Sequence, residues 1–391
     1  MVSLKKFDIS VLGAAYAGMF FFVPVATSPT VICGAVVLIV WIISGRLLSD
    51  IGPWLKSELA LPVLALIALP WIGLLYTPLP EAGFPIALKT HYWLYAVAVV
   101  SLVPVRGAVD RMIKMYLAGL SLNSVISALQ FAGIAPLKKG LATGLLGGSS
   151  AHIAYSLLLT TGMLIASFYF ARAEGPKQRA VYGAALLLYF VTMGFTGGRS
   201  GYLALIVLSP LLVHNLVGRR HIFKIAVLSI ATVSLLFTSP VVRSRFAKAA
   251  EDIQLYRQGI VNTSLGLRFH MWQISLNDIR ENPILGLGTG GFERSWELHK
   301  GDNSLPSHNH PHNSFLYMTV SYGIIGLAAF CWVLFVMLKR GWKGRESAPG
   351  FAVLSFTAVF IIGSLSDTQL LPFATSVAFP LFAGLSEAAG G

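Results

Sequence analysis

Ser307-His308-Asn309-His310-Pro311-His312-Asn313 closes the one long hydrophilic interruption in this chain, roughly residues 239–313. On both sides of it the sequence reads as membrane. A polar, histidine-rich segment hung between hydrophobic spans is where such a protein can carry out chemistry, because the spans themselves bring few reactive groups. Which side of the membrane this segment faces therefore decides much of the function.

Hydrophobic residues make up 55% of the 391 and charged residues only 12%, with a mean hydropathy of +0.72. A soluble domain carries about 25% charged residues, so the composition specifies an all-α polytopic membrane protein, one integral domain over residues 1–391. A helix crossing the ~30 Å hydrocarbon core needs about 17–25 residues. Apolar stretches at about 9–26, 29–44, 59–76, 90–105, 111–133, 151–171, 180–196, 200–217, 221–238, 314–338, 350–366 and 371–388 predict twelve spans, with 239–313 a loop between the ninth and tenth. Met1 to Lys6 before the first apolar run resembles a signal peptide, with Val25-Ala26-Thr27 as a passable cleavage site. The run is long for a cleavable signal, which favours an uncleaved first span. Cys33 and Cys331 sit inside apolar runs and read as small core residues rather than a disulfide or metal pair.

Lysine and arginine fix the orientation. With the N-terminus in the cytoplasm, the inner connections hold 17 of the 29 basic residues and the short outer ones hold only Lys89, Lys138, Lys139 and Arg199; the long loop holds the remaining 8. The long loop and its histidines then face away from the cytoplasm, where no ATP is available. Most of the +13 net charge is positive-inside topology, whose partners are anionic lipid headgroups. Nucleic acid is excluded as a partner.

Five outer features remain. Arg199 lies in the turn Gly197-Gly198-Arg199-Ser200-Gly201 between two spans. Such a turn can bring successive N–H groups and a forked guanidinium onto phosphate oxygens, or it can simply let an arginine snorkel to the interface. Residues 268–280 read as an amphipathic helix bearing Arg268, Phe269, Trp272 and Leu276 and ended by Asn282-Pro283. Arg268 stands at its expected start, where the helix dipole also favours an anion. The glycine run 286–291 is weak as a nucleotide motif, since no strand precedes it. His308, His310 and His312 alternate and could ligate a metal, form a surface cluster, or supply a general base. His312, at the edge of the tenth span, is the best placed for the last role. Lys138, Lys139, Arg243 and Arg245 could add positive charge near the membrane. On the fifth span Asn123, Ser127 and Gln130 share a face and read as helix–helix contacts rather than a cavity lining.

Thr196-Gly197-Gly198-Arg199-Ser200-Gly201, then Arg268 with Trp272, Asn282-Pro283 with Gly286 and Gly288, and His312-Asn313-Ser314-Phe315-Leu316 with Gly323 and Gly326 together resemble the O-antigen ligase and polymerase family. Gly147 to His152 resembles the family segment before the sixth span. The duplicated His308-Asn309 departs from the pattern; the following Ser-Phe-Leu favours His312. The resemblance implies a GT-C-like helical glycosyltransferase of the bacterial inner membrane with a periplasmic active site. The donor it implies is a glycan on undecaprenyl diphosphate, moved en bloc to a sugar hydroxyl of lipid A–core. His312 would deprotonate the acceptor, while Arg199 and Arg268 would stabilise the departing diphosphate. Asn313, Gly198, Lys138, Lys139, Arg243, Arg245 and Trp272 would bind substrate. Direct displacement predicts inversion, and no cofactor is implied.

No outer carboxylates show Asp-x-Asp spacing, and two arginines can replace a cation, so metal independence is expected. A polymerase with the same donor is the alternative, and a protein O-oligosaccharyltransferase a third reading. The chain's end at Gly391 just after a span disfavours that third reading. Transport would favour ionisable groups within the spans, and here they gather at outer turns.

Overall fold

In a bilayer every backbone N–H and C=O must be paired internally, and a helix does this within one segment. Apart from the isolated bridge of Lys138 with Leu141, all regular structure among the described residues is helical. The computed structural model describes residues 2–138, 140–148, 150–217 and 221–389, with side chains from residue 8 onward. Lys139, Ser149, Arg219 and Arg220 and the side chains of Lys5 and Lys6 lie outside the described residues.

The chain begins with α1 (Val2–Phe22), α2 (Thr27–Ile43), α3 (Arg46–Leu55), α4 (Ala60–Gly73), α5 (Pro80–Leu88) and α6 (Trp93–Ala98). It continues through α7 (Ala108–Phe131), α8 (Ala151–Ala171), α9 (Pro176–Thr196), α10 (Arg199–Val217) and α11 (Ile222–Leu236). Three more polar helices follow, α12 (Pro240–Arg257), α13 (Ser264–Glu281) and α14 (Gly291–His299), before α15 (Ser314–Lys343), α16 (Ala348–Ser366) and α17 (Phe373–Ala389).

Six of these, α7, α8, α9, α10, α15 and α16, are long and apolar enough to cross a membrane. The number rises to eight if α2 with α3, bent by 95°, and α11 with α12, bent by 87°, each count as one span. Residues 8–22 of α1, α4 and α17 are shorter apolar helices. The chain is a polytopic membrane protein. The expected span at 90–105 is instead broken: 3-10 turns at Lys89–Tyr92 and Val99–Leu102 flank the six residues of α6. The β-branched Val97, Val99 and Val100 lose rotamer freedom in a helix, and Pro104 disfavours one before it.

The core is centred on α8, which is buried along most of its length against α9, α10 and α16. Gly198 and Gly201 let α10 approach it closely: a Cβ on either would fall 2.2–2.3 Å from the Ser156 side chain. On the other flank α15 packs against α4, α16 and α17. The long helices pack on one another and run up and down. As a result α8, α10 and α15 begin, and α9 and α16 end, at one end of the bundle. At the opposite end Arg172 pairs with Glu346 at 2.9 Å, Lys339 with Glu58 at 2.6 Å and Arg340 with Glu387 at 2.9 Å.

Two local arrangements position the first end. Asn123, Ser127 and Gln130 of α7 clamp a loop rather than a helix. Asn123 Nδ2 donates to the Thr143 carbonyl at 3.1 Å, Ser127 Oγ to Ala142 at 2.5 Å and Gln130 Nε2 to Gly144 at 3.0 Å. This fixes the approach to α8. The second is a break in α15 at Tyr322 and Gly323, where Gly323 takes φ +59°. Residues 283–288 fill it. Leu287 N–H donates to the Val320 carbonyl at 2.8 Å, Gly288 N–H to Ser321 at 2.9 Å, and Ile324 N–H to Pro283 at 2.9 Å. The glycine run 286–291 is therefore a close-packing wedge. A Cβ on Gly286 would lie 2.6 Å from the Val320 carbonyl oxygen, and one on Gly288 would lie 2.5 Å from that of Gly73.

Candidate active site

His312 is, among the described residues, the one non-glycine with positive φ, at +51°. A left-handed residue of this kind costs about 1–2 kcal/mol, so its surroundings must hold it. Trp272 Nε1, on α13, donates to the Pro311 carbonyl at 2.8 Å on one side. On the other, Asn313 N–H donates to Thr368 Oγ1 at 3.1 Å, and its side chain caps α15 by accepting from Phe315 and Leu316. Strain so over-determined marks a functional constraint.

The constraint aims the imidazole at Asp367, just past the end of α16. His312 Nδ1 lies 2.6 Å from Asp367 Oδ1, and Asp367 is wholly buried. Burial alone would push this carboxyl up. The hydrogen bond and charge of His312, with Arg268 and His310 nearby, outweigh it and hold the group at about 2. The carboxylate is ionised, so the His312 nitrogen that faces it, Nδ1, is the one that donates, and Nε2 is the nitrogen left to face the cavity. An imidazole held by a buried carboxylate in this way has the geometry that a general base requires.

That imidazole lines a cavity of about 560 Å³ together with Arg199, Arg245, Arg268, His152, His308 and His310. Three different elements supply the guanidinium groups. Arg199 begins α10 behind Gly197, which ends α9 at φ +73°; its Nη2 donates to Ser264 Oγ at 2.6 Å and its Nη1 lies 3.7 Å from Asp252. Arg245 reaches in from α12 and passes against Gly197, where a Cβ would stand 3.0 Å from it. Arg268 comes from α13. The helix starts at Ser264, capped by Thr263, four residues before the expected start. Arg268 therefore sits in the second turn and offers its side chain rather than the helix N-terminus. Burial pushes its guanidinium down from the ordinary value, while Asp367 and Asp252 pull it back up.

The neighbouring histidines are neutral near pH 7. Burial and the His312 ring push His310 down to about 3 and His308 to about 4. His310 Nδ1 accepts from His312 N–H at 3.3 Å. A second cavity of about 990 Å³, with Lys89 and Glu81 on its wall, meets the first at Ser150, Glu293, Asn309 and His310. Two recesses thus open on one histidine face, one rich in guanidinium groups and the other mixed in character.

The structure brings His312, Arg199, Arg268 and Arg245 to one cavity and gives the other expected contact residues among the described ones different surroundings. Gly198 faces α8, Asn313 caps α15, and Trp272 holds Pro311. Lys138 Nζ donates to the Leu145 carbonyl at 2.6 Å, and Arg243 is exposed on α12 away from the cavity lining. Asp367 is visible in the sequence only as one outer acidic residue among several, and His152 only as the end of a motif. The signal for Asp367 was its isolation: a carboxylate between two apolar runs needs a partner.

Residues 184–331 match the family model described as O-antigen ligase, a stretch that contains Arg199, Arg245, Arg268 and the histidines but neither His152 nor Asp367. A provisionally named polysaccharide ligase of Rickettsia conorii is 26% identical over 205 residues, 50% of this chain and 47% of that protein. One from Rickettsia prowazekii is 34% identical over 157 residues, 37% and 36% of the two chains. An uncharacterized protein of Haemophilus influenzae is 27% identical over 192 residues, 46% and 47%. The chain thus spans about half the length, or less, of these relatives. Over the matched segment the chain is similar to the O-antigen ligase family, and it resembles the polysaccharide-ligase relatives over half its length or less.

Proposed function

We propose that the protein is a glycosyltransferase that moves a glycan en bloc from undecaprenyl diphosphate to a sugar hydroxyl of lipid A–core, at the periplasmic face of the inner membrane. The observation that carries this reading is a base, His312 backed by buried Asp367, on the wall of a cavity lined by Arg199, Arg245 and Arg268. The donor is already activated, because diphosphate is a good leaving group, and no nucleotide is needed. His312 Nε2 takes the acceptor proton as the hydroxyl oxygen attacks the anomeric carbon. The bond from that carbon to the diphosphate oxygen breaks on the opposite side, and the guanidinium groups take up the charge that develops there. One displacement inverts the anomeric carbon. Two adjoining cavities suit two substrates held in line.

The reading extends to the architecture. Taking α2 with α3 as one crossing and α11 alone as another, and adding the three shorter apolar helices and the broken run 89–102 to the six long ones, gives twelve crossings in a GT-C-like arrangement, with α12 turning away into the periplasmic loop 239–313. The test is a reconstitution of purified protein with lipid-linked glycan and either lipid A–core or a second lipid-linked glycan. Extension of lipid A–core, undiminished by EDTA, is the expected result. Extension of only the second lipid-linked glycan would make the protein a polymerase, and collapse of transfer in EDTA with rescue by magnesium would overturn the arginine clamp.

A further inference from the structure

We propose that His310, His312 and Asp367 form a binding site for one divalent transition metal of the zinc class, and that filling it silences the base. One ligand atom from each residue lies within 4.8 Å of the others. Two imidazoles and a carboxylate are the donor set of open zinc centres and a poor one for magnesium or calcium, which take oxygen. A second, independent observation points to a missing partner. Asp367 is wholly buried, and its Oδ2 makes no hydrogen bond, although Oδ1 is engaged by His312 and by the Thr368 N–H at 2.8 Å. A buried carboxylate oxygen left bare is costly, and a cation at this position would satisfy it.

The geometry is close to what a metal requires. Zinc bonds of about 2.0–2.1 Å place tetrahedral donors roughly 3.3 Å apart, so with every pair inside 4.8 Å no pair has to close by more than about 1.5 Å. The His310 and His312 rings already stand 4.3 Å apart, centroid to centroid. His308, whose ring is 5.5 Å from that of His312 and whose Nε2 is buried without a partner, stands beside the site as a fourth donor. The base must keep a free lone pair to accept a proton, and metal coordination removes it. The site is thus inhibitory and compatible with metal-independent transfer; only this silencing clause rests on the proposed transferase reading.

Cobalt(II) serves as the optical probe, added to the purified full chain in detergent. One equivalent should bind with the visible absorption of a four-coordinate site, and zinc should displace it. His310→Ala and Asp367→Asn should each abolish that equivalent, while His91→Ala, at an exposed histidine far in sequence, retains it. A thermal melt certifies the fold of each variant, and if Asp367→Asn does not fold, His310→Ala alone decides. Cobalt binding that survives His310→Ala overturns the site. In the transfer assay saturating zinc should slow wild type on the order of 10²-fold or more, as removal of a general base does, and EDTA should restore it. Binding without inhibition would overturn the silencing role. The cobalt measurement uses no substrate, so it stands or falls apart from the transferase reading.

Discussion

At the residue scale, roles separate by what each group can do. His312→Ala removes the proposed base and should slow transfer by about 10²–10⁴-fold while lipid-linked donor still binds. Asp367 acts through His312, so Asp367→Asn should lower the rate by about 10–100-fold with donor affinity unchanged, and Asp367→Glu should recover part of it. Arg199→Ala and Arg268→Ala remove charge-assisted hydrogen bonds worth roughly 1.5–3 kcal/mol each. They should weaken donor binding as well as turnover, and lysine should rescue either only in part because it lacks the fork. Donor binding and rate measured on these variants in membranes check the assignment; His308→Ala more damaging than His312→Ala would move the base. The neutral neighbours add a pH signature. With folded values of about 3 for His310 and about 4 for His308 against about 6.5 unfolded, the unfolded chain binds more protons below pH 6.5. Stability should therefore be full above that pH and fall as acid carries the protein toward those lower values. His310→Ala should flatten the fall, which melting temperature against pH in detergent would read.

At the element scale, glycines carry more architecture than their motif suggests. Gly286, Gly288, Gly323 and Gly326 are legible in the sequence as a pattern, and a reading by type makes them turn or phosphate residues. Their purpose depends on the break in α15, which no local signal announces, since Tyr322-Gly323 lies inside an uninterrupted apolar run. The wedge of residues 283–288 supplies the hydrogen bonds that the break frees, and in doing so it ties α13 and α14 to the membrane helices. Gly323→Ala would force a Cβ to within 2.0 Å of the Ile284 carbonyl oxygen at φ +59°. The left-handed conformation alone costs about 1–2 kcal/mol, and the clash adds to it. The variant should melt earlier and lose protection from proteolysis in 283–299. Gly301→Ala, also at positive φ but with open space around it, should show the conformational cost alone. Equal losses at the two positions would mean that the wedge contributes nothing.

At the scale of the whole molecule, composition and charge pattern reach far but stop short of the pairing of ends. Hydropathy locates α7 to α11, α15 and α16 because long apolar runs have one solution in a bilayer. It does not foresee that the run at 90–105 divides into a six-residue α-helix between two 3-10 turns, and it does not separate α3 from its neighbours. The partnership of His312 with Asp367 spans 55 residues and depends on α15 and α16 being antiparallel neighbours, which spacing cannot state. The two ends they define also differ in charge chemistry. One holds guanidinium groups around a cavity, the other the ion pairs of Arg172, Lys339 and Arg340 with Glu346, Glu58 and Glu387. The positive-inside expectation is that the second end lies in the cytoplasm and the cavity outside, and that orientation is open to a direct test. Asp302, before α15, and Arg345, after it, lie on opposite sides of one thirty-residue helix. A phosphatase reporter fused at Asp302 should therefore be active and one at Arg345 silent, with a cytoplasm-dependent reporter giving the reverse. If both positions report the same side, α15 does not cross the membrane. The cavity then loses its access to a periplasmic donor, and the transfer mechanism built on His312 fails with it.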